Sequence, residues 1–176
     1  MSQAHNHVKW CLAKAQKEIE EYKKQGKKPK HRGIIQIKPK IDAAKKHLEK
    51  AQHNLQATEY LKKGKFADIS ASTIFYSMYH CFLAIALKFG YESRNQTCTI
   101  ALIECLIEEN KINLDKKFIE LFKSEETDKE KSGTAINIRE EYTYGFGIDI
   151  RDEKEIDELI KNSKDLLDKT KDIVFS

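Results

Sequence analysis

From Ile69 to Leu87 the chain carries no aspartate, glutamate, lysine or arginine, although 34% of the whole sequence is charged. No other stretch limits the possible folds as strongly. It is long enough to cross a bilayer as a helix. Ser70, Ser72, Thr73, Ser77 and His80 lower its hydrophobicity, however, and a helix apolar on most sides is what the middle of a helical bundle requires. We therefore expect a core helix and no membrane association. The small residues Ala67, Ser70, Ala71 and Ser77 would let neighbouring helices approach closely.

The flanking sequence supplies those neighbours. Ile41, Ala44, Leu48, Ala51, Leu55 and Thr58 recur at spacings of three and four, and Gly64 follows as a stop signal. Ile156, Ile160, Ser163, Leu167, Thr170 and Val174 repeat the pattern near the C-terminus. Ile100, Ile103, Leu106 and Ile107 mark another amphipathic helix, and Phe118, Leu121 and Phe122 a short one. From His7 to Lys24, Trp10, Ala13, Ile19 and Tyr22 fall near one side of a first helix. "KSEETDKEKSG", 123–133, reads as an exposed loop or a solvated helix start. Seven glycines and two prolines in 176 residues argue against an all-β fold, and one domain is expected. The expected fold is all-α, an antiparallel four-to-five-helix bundle over 41–176, preceded by a helix and basic linker over 1–40.

Residues 23–50 hold eleven lysines or arginines against Asp42 and Glu49, a charge of +9 in a chain of +4, which leaves −5 elsewhere. A nucleic-acid or acidic-protein partner is compatible with this, and a solvated lysine-rich linker is the commoner explanation. Cys11, Cys81, Cys98 and Cys105 show no CxxC spacing, and no apolar leader begins the sequence. Buried free thiols in a reducing cytoplasm are expected.

The charge-free helix with "FYSMYH" (75–80), then "REEYTYG" (139–145) ahead of a final amphipathic helix, resembles the HEPN family (higher eukaryotes and prokaryotes nucleotide-binding) over roughly residues 41–174. The resemblance implies a homodimer with an arginine motif from each subunit lining a shared cleft. Many members are metal-independent ribonucleases, often toxins paired with a minimal nucleotidyltransferase; others bind nucleotides or act as scaffolds. The family's nuclease motif is an arginine followed a few residues later by a histidine. Here Arg139 matches the arginine, and Tyr144 stands where the histidine is expected.

Cleaving RNA without a metal needs a cation at the scissile phosphate and a group that moves a proton from the 2′-hydroxyl. Arginine serves the first need through its permanent, bidentate charge. Tyrosine serves the second poorly, with a pKa of about 10 against about 6.5 for histidine. Binding of nucleotide or RNA is therefore preferred to efficient cleavage. Arg139, Tyr142, Tyr144 and Tyr79 are the candidate ligand-binding residues; if the chain is an enzyme, Arg139, Tyr144 and His80 are the catalytic candidates. Positions 139 and 142 share a helical face, whereas 139 and 144 lie about 140° apart on an unbroken helix. Tyr144 can then join Arg139 only by unwinding or from a second subunit. On family analogy, Tyr142 or Tyr144 could also accept AMP from a nucleotidyltransferase partner. A lone histidine such as His80 is more often a hydrogen-bonded core residue than a catalyst. His5 and His7 are expected in a mobile terminus, His31 in the linker, and His47 and His53 on a lysine-rich helix. None has convincing ligand spacing to a carboxylate, so no metal or other cofactor is expected.

Overall fold

The computed structural model describes residues 2–122, 135–144 and 153–176. It shows an all-α bundle with one small β-ribbon. The helices are α1 (Gln3–Lys24), α2 (Ile41–Lys63), α3 (Ala67–Lys88), α4 (Gln96–Glu108), α5 (Lys117–Glu120), α6 (Ala135–Tyr144) and α7 (Glu153–Phe175). The segment read as a loop, 123–133, lies outside the described residues, as do Gly145 and Gly147.

The charge-free stretch is α3, and it packs against α2, α4, α6 and α7. Among the described residues it is the one helix long and apolar enough to cross a membrane, and most of it is buried inside the protein. Ile74, Phe75, Met78, Phe82 and Ile85 are almost wholly enclosed. Side-chain pairs fix the helix directions. Thr58 meets Thr73 at 2.7 Å, Ser77 donates to the Ala51 carbonyl at 2.8 Å, and His47 meets His80 at 2.8 Å. Numbers falling on α2 as they rise on α3 make the two an antiparallel hairpin. Ser163 donates to Ser77 at 3.0 Å, and Lys88 to the Val174 carbonyl at 3.2 Å, so α7 runs parallel to α3. The ion pairs Lys164–Glu59 and Lys62–Asp157 make α7 antiparallel to α2. The seams expected on α2 and α7 are the buried ones: Ala44, Leu48, Ala51, Leu55 and Thr58, and Ile156, Ile160, Ser163, Leu167, Thr170 and Val174, while Ile41, at the start of α2, is only partly buried. Small hydroxyl residues allow this approach and satisfy one another where they are buried.

The N-terminal segment shares the same core. Ala4, Val8, Cys11 and Ile34 join the buried cluster. On α1 the buried face is Ala4, Val8, Cys11 and Ala15, not the Trp10–Ala13 side read from the sequence; Trp10 is 56% exposed. The reason is that α1 lies against both α4 and the chain at Gly33 and β1, which approach closely only over the face with the smaller side chains. His5 and His7 are accordingly helical rather than part of a loose tail. Within the expected linker, β1 (Ile34–Gln36) pairs antiparallel with β2 (Tyr91–Ser93), Ile34 opposite Ser93 and Gln36 opposite Tyr91. Three-residue strands carry too little alternation to be read from sequence. Two glycines permit the ribbon: a Cβ at Gly33 would stand 2.5 Å from the Cys11 carbonyl oxygen, and Gly90 has φ +77° with a Cβ position 2.8 Å from the Ile37 carbonyl oxygen.

The expectation of four free thiols is corrected. Cys11 and Cys98 are joined in a disulfide, with Cα atoms 5.9 Å apart, while Cys81 and Cys105 are free and buried. Residues 87 positions apart meet because α1 and α4 pack closely, which no spacing rule along the chain reveals.

Candidate functional site

Arg139 lies on α6, whose buried Ala135, Ile136 and Ile138 face the bundle. Its guanidinium carbon sits 4.4 Å from the centre of the Phe75 ring, a cation–π seat on α3. Phe75 is 1% exposed and is fixed by Phe122 at 5.2 Å and by Tyr79, stacked at 6.1 Å. A rigid aromatic floor thus holds a side chain that remains 20% exposed, with Glu140 as an ion-pair partner at 3.2 Å. Such a guanidinium is partly pre-organised and still open to an anion.

Glu140 also lines a groove of ≈ 480 Å³ between α4 and α6, together with Gln96, Thr97, Ile100, Glu104 and Phe122. The carboxylates of Glu104 and Glu140 would repel a phosphate deep in this groove. An anionic ligand is best held at the Arg139 rim. Two wider grooves, of ≈ 530 and ≈ 630 Å³, run along α7 beside Lys117 and Asp165, and none of the candidate catalytic or ligand-binding residues lines them.

Tyr79 belongs to the same neighbourhood through its stack on Phe75. Its hydroxyl is 3.1 Å from Thr99 Oγ1, and burial raises its pKa, so the phenol stays protonated and serves as a hydrogen-bonding group. α6 runs unbroken from Ala135 to Tyr144, which keeps positions 139 and 144 about 140° apart around its axis. The side chains of Tyr142 and Tyr144 lie outside the described residues.

His80 turns the other way, toward α2. Its Nδ1 faces His47 Nδ1 at 2.8 Å, so one nitrogen donates and the other accepts, and the pair shares a single proton there. Burial, then the nearby His47 and Lys50, lower the His80 pKa to about 4, and burial lowers that of His47. Both rings are neutral at pH 7. An unfolded histidine titrates near 6.5, so between that pH and about 4 the unfolded chain binds more protons than the folded one. Stability is complete above pH 6.5 and is expected to fall across this window by on the order of 1–2 kcal/mol, allowing for solvent screening of half-buried groups. Denaturant melts at pH 7 and pH 4.5 check this, and His80→Asn should shrink the difference; an equal drop in the variant would remove the histidine pair as its source.

Burial pushes the free Cys81 thiol up to about 12 and that of Cys105 to about 11, so neither is a ready nucleophile. Sequence reasoning missed Phe75 as the floor beneath Arg139 and His47 as the partner of His80. The second was readable in principle, because a hairpin turning at Gly64 brings those positions close to register.

Residues 44–173 match the family model described as the HEPN domain. A protein of Methanocaldococcus jannaschii that bears the name "Putative toxin MJ0142" is 29% identical over 132 residues, which are 74% of this chain and 81% of that protein.

Proposed function

We propose that this chain, which belongs to the HEPN domain family, is a toxin-like protein that binds nucleotide or RNA through Arg139 in a cleft completed by a second copy. The observation that carries the reading is the Arg139 guanidinium, seated on the buried Phe75 ring yet 20% exposed. A phosphate displacing Glu140 would gain charge-assisted hydrogen bonds from a side chain whose entropy is already partly spent. The homodimer answers a second problem. Positions 139 and 144 of one chain face apart, and Tyr144 of a second subunit would bring the phenol to the arginine. The name of the M. jannaschii relative supports the toxin-like assignment. A nucleotidyltransferase-type protein as the partner that restrains it rests on the family resemblance alone.

Binding is favoured over cleavage. His80 is the obvious proton acceptor, but it is engaged with His47 on the α2 side of α3, whereas Arg139 lies over Phe75. A ribonuclease reading must therefore rest on Tyr144.

The test is an RNA oligonucleotide mixed with purified protein in the presence of chelator, with binding and integrity both followed. Wild type is expected to bind and leave the RNA intact, Arg139→Ala to bind about tenfold to a hundredfold more weakly, and Tyr144→Phe to fall between. Cleavage lost in Arg139→Ala would instead establish the nuclease. If Arg139→Ala binds as tightly as wild type, the site reading fails and the basic 23–50 segment becomes the docking element of an interaction scaffold.

A further inference from the structure

The α1–α4 interface carries a second set of groups that the proposed function does not use. Cys105 and Glu109, one helical turn apart on and just after α4, face His5 from the first turn of α1. Cys105 Sγ lies 3.8 Å from His5 Nδ1 and 3.5 Å from Glu109 Oε1, and those two atoms are 3.5 Å from each other. Around a tetrahedral zinc with bonds of about 2.0–2.3 Å, sulfur, nitrogen and oxygen donors stand roughly 3.3–3.6 Å apart. The three edges therefore match one face of a zinc tetrahedron to within a few tenths of an ångström.

We propose that His5, Cys105 and Glu109 form a zinc site that clamps the N-terminal helix to α4, with a solvent molecule in the fourth position. The donor set suits the ion, since a thiolate, an imidazole and a carboxylate are all zinc ligands, and the first and last balance its charge. Lys111 holds the other carboxylate oxygen of Glu109 at 2.7 Å, which leaves Oε1 directed at the cysteine and histidine. Cys105 is buried while His5 and Glu109 are about one-third exposed on their side chains, so an ion can enter and water can reach it. Binding displaces the proton of the Cys105 thiol to solvent. The sequence reading expected no metal because no histidine lies at ligand spacing from a carboxylate; helix packing, not spacing along the chain, brings His5 to Glu109. His7, Cys11 and Cys98 form a comparable cluster, but its two sulfurs are bonded to each other.

Cobalt(II) titrated into the purified full chain, with the disulfide intact, is the direct probe. We expect saturation at one ion per chain with a thiolate-to-cobalt absorption band, displaced by zinc. Cys105→Ser should lose the band, and His5→Ala should weaken binding by about tenfold or more. Zinc should also raise the melting temperature of wild type, and at the same zinc concentration raise that of His5→Ala less. Should Cys105→Ser fail to fold, His5→Ala carries the test, its ring being partly exposed. Absence of saturable binding overturns the proposal, as does a band that survives Cys105→Ser, which would put the ion on Cys81, the other free thiol.

Discussion

Phe75→Ala is expected to lower the unfolding free energy by about 3–5 kcal/mol, the range for deleting a buried aromatic ring. Phe75 is almost wholly enclosed and meets Tyr76, Tyr79, Phe122 and Arg139, so no neighbour can collapse into the space without leaving another contact. Phe75→Leu separates two roles. It retains most of the volume and should cost on the order of 1–2 kcal/mol, but it removes the π face under the guanidinium. Urea melts give the stability of both variants, and RNA titration gives the consequence for Arg139. A Phe75→Leu protein that is nearly as stable as wild type yet binds several-fold more weakly would show that the ring positions the arginine. Unchanged binding would reduce Phe75 to core packing.

Opening the Cys11–Cys98 bond should cost about 4.6 kcal/mol by the loop-entropy argument, because the bond joins residues 87 positions apart. Cys11→Ser and Cys98→Ser should each lower the melting temperature at least as far as reductant lowers that of wild type, and reductant should have no further effect on either. If reductant leaves the wild-type melt in place, the two sulfurs do not form the bond in solution. Both residues are buried, at 0% and 1% exposure, so serine at either place also leaves a hydroxyl to be satisfied.

Much of the bundle was legible because its helices are long and their seams periodic. Ala44 to Thr58 and Ile156 to Val174 each mark one buried face, and the charge-free run marks the helix that has neighbours on several sides. α1 misled for a physical reason: Trp10, Ile19 and Tyr22 have the larger apolar side chains, but the close approach of α4 and of the ribbon at Gly33 selects the small residues Ala4, Cys11 and Ala15. Hydrophobicity predicts that a helix will bury a face; the partner's shape decides which. The disulfide, the ribbon through Gly33 and Gly90, and the His5–Cys105–Glu109 cluster are all products of tertiary meeting. No local pattern encodes them. Arg139 was found from a motif, whereas its aromatic floor required knowing that α6 crosses α3 at Phe75.

The parallel pairing of α3 with α7 has a consequence for the order of events during synthesis. The α2–α3 hairpin is local: its turn is short, and Ser77 already donates to the Ala51 carbonyl within it. A hairpin of this kind can form as soon as Lys88 has emerged. The flank of α3 that receives Ser163 and Thr170 stays uncovered until α7 has also been made, at the far end of a long crossover. During that interval the nascent chain presents an apolar helix side to the cell, and any helper that shields nascent proteins would be expected to act there and then.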